Sequence, residues 1–118
     1  GLWRLGSAQR GVEHWLTQRV TAIALVPLGL WFIGSMLALA GAGYDEVRSW
    51  LASQFNATMM ILLVIAAFWH AKLGLEVIIQ DYVHGRWLKP ISLLATNLLV
   101  WLFALSSIVA ILQVVTGS

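Results

Sequence analysis

The sequence predicts an all-α integral membrane protein with three transmembrane helices. Of the 118 residues, 60% are hydrophobic and only 10% charged, whereas soluble domains carry about 25% charged residues. Mean hydropathy is +0.85. The apolar residues gather into three long runs, with no period-two alternation that would mark strands and no internal repeat. The chain has no cysteine, so it can supply no disulfide, thiolate metal site or iron–sulfur ligand. A formal charge of +2 with no basic run excludes a nucleic-acid surface.

Residues 1–19 form a polar N-terminal segment carrying Arg4, Arg10 and Arg19. Its end leads into the first span, Val20 to Ala42, which holds no charged residue over 23 positions. A helix of that length rises about 35 Å, enough to cross a hydrocarbon core of about 30 Å. The run is too long for the h-region of a cleavable signal, so none is expected there. Pro27 lies inside it, removes one backbone donor and is expected to bend the helix. A polar connection follows, in which Val47 to Phe55 is expected to form a short interfacial helix with Trp50, Leu51 and Phe55 on one face. The second span is expected over residues 57–82. Its first half is uncharged, and its second half holds Lys72, Glu76 and Asp81. A second connection, Val83 to Lys89, carries His84, Arg86 and Lys89. The third span, residues 91–115, is free of charge and preceded by Pro90 as a helix-start signal. Residues 1–118 are expected to form one membrane-anchor domain.

Positive charge sets the sidedness. The N-terminal segment and the second connection hold five of the seven Lys and Arg residues, and the first connection holds only Arg48. The N-terminus and second connection are therefore expected on the cytoplasmic (or mitochondrial matrix) side, and the C-terminus opposite. Trp3, Trp15, Trp50 and Trp87 fall near the expected interfaces, as an aromatic belt requires.

The second span carries the candidate chemistry. His70 stands near its middle, where an ionisable side chain is costly and marks a functional site by default. On a helix advancing 100° per residue, Gly74 and Asp81 share its stripe, while Lys72 and Glu76 lie on the opposite face. With two polar faces the helix needs cover on both. Lys72 and Glu76, four residues apart, suit a buried structural ion pair. For His70 three readings stand together: an axial ligand to haem iron, a hydrogen-bonded packing residue, or part of a proton path. Gly74 would let a flat macrocycle approach the backbone, or would serve close helix packing. His14 and His84 lie outside the apolar runs and cannot reach a metal at the depth of His70. A second imidazole would have to come from another chain, which points to an obligate partner subunit. Tyr82 and Asp81 close the span at its boundary. A phenol there can donate to a quinone carbonyl with a carboxylate beside it, or can simply belong to the interfacial belt. Arg19 can snorkel to headgroups or pair with an anionic ligand such as a propionate.

Two stretches carry a family resemblance. Asp81 to Gly85 reads D-Y-V-H-G, with His70 eleven positions before the aspartate in H-A-x-L-G-L-x-V-I-I-x-D-Y-V-H. Gly11 to Leu28 reads G-V-E-H-W-L-T-Q-R-V-T-A-I-A-L-V-P-L. Together they resemble the smaller hydrophobic membrane anchor of succinate dehydrogenase (respiratory complex II), closest to the alphaproteobacterial and mitochondrial branch. The third span matches only in length and hydrophobicity. The resemblance implies a non-catalytic subunit in a multi-subunit helix bundle. Its partners would be a second, cytochrome b-type membrane anchor, an iron–sulfur subunit and a flavoprotein subunit. It implies haem b with His70 as one axial ligand and Arg19 near a propionate. It implies a ubiquinone site using Tyr82 and Asp81, and a place in the bacterial cytoplasmic or mitochondrial inner membrane, linking the tricarboxylic acid cycle to the respiratory chain. Lys72 and Glu76 lie outside the family pattern. The alternatives are a fumarate reductase anchor using menaquinol, a small ion- or proton-transporting subunit with His70, Lys72, Glu76 and Asp81 along one path, and a haemless assembly protein.

Overall fold

The computed structural model describes the backbone of residues 2–117 and the side chains of residues 12, 13 and 15–117. The side chains of Trp3, Arg4, Arg10 and His14 lie outside the described residues. Four helices follow in order, α1 (Leu2–Ala38), α2 (Tyr44–Ala52), α3 (Gln54–Tyr82) and α4 (Leu88–Thr116), with no strand among the described residues. Three segments, Trp15–Ala38, Gln54–Tyr82 and Leu88–Thr116, are long and apolar enough to cross a membrane.

The helix ends differ from the limits of the apolar runs for local reasons. The first run continues to Ala42, but α1 stops at Ala38 because Gly41 turns the chain at φ 83°, a left-handed conformation suited to glycine. Hydropathy scores Ala40, Gly41 and Ala42 as apolar without registering that turn. Upstream, α1 extends through the polar N-terminal segment and runs unbroken past Pro27. The interfacial helix is displaced toward the N-terminus, starting at Tyr44 with Asp45 and Glu46 in its first turn, where acidic groups meet the positive end of the helix dipole. Ser53, extended at φ −61° and ψ 131°, ends α2 and starts α3 as a one-residue corner. Asn56 Nδ2 donates to the Trp50 carbonyl (2.9 Å) across it. Pro90 lies in the first turn of α4, where a missing N–H costs nothing.

α3 lies between α1 and α4, which do not approach each other. Its small core follows helical stripes: Ala66 and Leu73 of α3 are buried, as are Val100, Ala104 and Ile111 of α4. Trp69 and Trp101 pack edge to face across this seam at 6.2 Å. α2 rests against α3 and α4 with Leu51 buried, and its Trp50 stacks on Trp31 of α1 at 5.5 Å. Arg48 Nε of α2 donates to the Val114 carbonyl (3.2 Å), so a cation meets the negative end of α4.

Candidate functional site

Where α1 crosses α3, residues 15, 18, 19 and 22 present one helical face, the i, i+3, i+4, i+7 pattern. Trp15, Gln18, Arg19 and Ala22 from that face, with His70 from α3, line a concavity of about 370 Å³. The Arg19 guanidinium lies 5.0 Å from the Trp15 ring centroid, which supports a cation on an otherwise apolar wall. His70 is half-buried, and its Nδ1 lies 3.2 Å from Thr21 Oγ1. This pairing sets the register of α1 on α3. It brings Arg19 to within about a helical turn of the level of His70, although Arg19 stands at the very edge of the apolar run. One turn beyond His70, a Cβ built on Gly74 would meet no atom within 4 Å. The space directly beside Gly74 is therefore open.

The opposite side of α3 is covered by α4. Lys72 Nζ lies 3.6 Å from Glu76 Oε1, with side chains 16% and 18% exposed. Asn97 Nδ2 of α4 donates to the same Oε1 at 3.2 Å, and Lys72 also lies 5.5 Å from the Trp101 ring. The two polar faces of α3 are therefore separate, with His70 toward α1 and the ion pair enclosed against α4.

Asp81 and Tyr82 are not brought to the concavity. They end α3 about three turns after His70, about 18 Å away along the axis. Both are exposed, and neither side chain makes a hydrogen bond among the described residues. Val83 caps the helix, its N–H donating to the Ile79 carbonyl (2.9 Å). Gly85 takes φ 131°, and a Cβ there would press to 3.3 Å from Leu88, so the chain turns into α4 only through glycine. His84 is exposed on this turn, about 21 Å along the chain from His70 by helix rise. The described residues hold no cluster of three or more metal-ligating side chains.

Sequence reasoning missed two partners. Thr21 belongs to a polar line with Thr17 and Gln18 that continues into the apolar run, a signal present but weak. Asn97 is one of two amides in the third run, the other being Gln113 near its end, and an amide within the run needs a partner.

The three spans, the short helix α2 and a histidine and an ion pair set into a mainly apolar bundle define a polytopic membrane subunit with few polar groups of its own. Residues 2–117 match the family model described as the succinate dehydrogenase/fumarate reductase transmembrane subunit, and the chain belongs to that family. It is 35% identical to a succinate dehydrogenase hydrophobic membrane anchor subunit of Rickettsia bellii over 106 residues, 90% of this chain and 85% of the relative. It is 34% identical to the subunit of that name in Rickettsia conorii, covering 89% and 81%. Identity to a succinate dehydrogenase membrane anchor subunit of Reclinomonas americana is 34%, covering 70% and 72%.

Proposed function

We propose that this chain anchors a succinate:ubiquinone oxidoreductase in a bacterial cytoplasmic or mitochondrial inner membrane. In this reading it ties a flavoprotein subunit and an iron–sulfur subunit to the bilayer beside a second anchor subunit, and does no substrate chemistry alone. Its own residues hold part of two sites. His70 is an axial ligand to haem b and Arg19 pairs with a haem propionate. Tyr82 and Asp81 contribute to the ubiquinone site. The N-terminus and second connection face the cytoplasm or matrix.

The observation that carries this reading is the concavity in which Arg19 and His70 meet at one depth, beside the open face at Gly74. The donor set fits the cofactor: an imidazole for iron, a cation for a carboxylate, and a tryptophan and an alanine as apolar walls. Bound haem would supply one-electron chemistry. His70 orients it, Arg19 balances charge, and Trp15 limits water. Any second protein ligand to the iron would come from the second anchor, since His14 and His84 belong to the polar segments outside the apolar runs. At the end of α3, the Tyr82 phenol is free to donate to a quinone carbonyl, and the Asp81 carboxylate is placed to accept or relay a proton. Against a transport path stands the enclosure of Lys72 and Glu76 by α4, away from His70.

The test is His70→Ala in the assembled complex. Loss or perturbation of the b-haem absorbance is expected, while artificial-dye reduction by the soluble subunits persists. An unchanged haem spectrum and potential would reject the ligand assignment.

A further inference from the structure

Thr21, which meets His70 across the α1–α3 contact, is the one polar side chain that is buried among the described residues. Its Oγ1 lies 2.9 Å from the Thr17 carbonyl oxygen, 3.0 Å from that of Gln18 and 3.2 Å from His70 Nδ1. A threonine hydroxyl has one proton and two acceptor lone pairs. The two helical carbonyls are the nearer acceptors, and donation to them is the ordinary back-bond of threonine in a helix. Only a lone pair is then left facing His70. Nδ1 must therefore carry the imidazole proton and donate it to Thr21 Oγ1. A neutral imidazole has a single N–H, so Nε2 keeps its lone pair.

We infer that Thr21 is the positioning residue of His70: by accepting the Nδ1–H it fixes the ring plane and leaves Nε2 as the metal-binding atom. This rests on the haem reading above. The opposite polarity, with the hydroxyl proton on Nδ1, would place the ring proton on Nε2 and leave no lone pair for iron. Ligating histidines generally direct their other N–H to a protein acceptor, which raises their basicity. A side-chain hydroxyl reached across a helix–helix contact is such an acceptor. It ties α1 to the cofactor without touching it.

The experiment compares Thr21→Val, Thr21→Ala and Thr21→Ser in the assembled complex, with His70→Ala as the reference. Haem content, reduction potential and the low-spin electron paramagnetic resonance signal are read alongside copurification of the soluble subunits. Removing the hydroxyl makes His70 a weaker donor, which favours the reduced iron. The expected change is about three- to tenfold toward the reduced form at fixed ambient potential, tenfold being about 59 mV for one electron. Haem affinity should fall about 10-fold or more. Serine should restore both. Alanine duplicates the valine test with less demand on packing, so the comparison can be read even where valine misassembles. The inference is overturned if valine and alanine keep the native potential and signal, or if serine behaves as they do. Should His70→Ala itself retain a native haem spectrum, the ligand reading fails first and separately.

Discussion

Tyr82 and His70 share α3 but not their surroundings, and that contrast governs what single substitutions can do. Tyr82 is 78% exposed at the helix end, so removing its hydroxyl breaks no contact within the chain. Tyr82→Phe should therefore leave assembly and haem intact and slow quinone reduction about tenfold, the worth of one hydrogen bond of about 1.4 kcal/mol. Dye reduction should persist; equal loss of both activities would make Tyr82 structural. His70 and Arg19 were legible in the sequence because a titratable group bordering or inside an apolar run is conspicuous. Thr21 was not. Threonine is common in membrane helices, and its partner lies 49 residues away in the chain, a distance that only the register of α1 on α3 resolves.

At the scale of elements, the α3–α4 seam joins its apolar contacts to one polar triad, an ion pair and an amide. Lys72, Glu76 and Asn97 satisfy one another in a region without water to replace a lost partner. Lys72→Met or Glu76→Gln alone should destabilise the seam by on the order of 1–3 kcal/mol, by leaving a buried polar group unpaired. The double variant should cost less than the sum of the two, since each change removes the reason the other hurts. Thermal melting of the purified complex provides the measurement, and strict additivity would contradict the triad. The sequence indicated the pair from its i, i+4 spacing and the need for cover from the opposed polar faces. It did not indicate that α4 supplies the cover, because the hydropathy of the third run conceals Asn97. The end of α1 was likewise visible only to within about a turn, since hydropathy does not register the φ of Gly41, and its start at Leu2 lies well before the apolar run.

For the whole molecule, most apolar surface faces outward. In an apolar 18-residue stretch of each of the three spans, only 6%, 11% and 17% of the residues are buried within the chain. Lipid can cover such surface, but it offers no partner to the half-buried His70 beyond the one Thr21 provides. Expressed without its partner subunits, the chain should accumulate poorly and carry little haem; immunoblotting of membranes with and without coexpressed partners tests this. Orientation has a direct assay because the chain has no cysteine. With Ser49→Cys as the single thiol, a membrane-impermeant reagent should label intact cells, and protection until permeabilisation would invert the topology argued from charge.

The bond from Arg48 to the Val114 carbonyl has a consequence for biogenesis. Its two ends are 66 residues apart, so it can close only after α4 has left the ribosome. Until then α2 has neither its polar tether nor the α4 flank that helps bury Leu51. The third span is thus the one that seats the first connection, and a nascent chain stalled before it would present a loose amphipathic segment to membrane quality control.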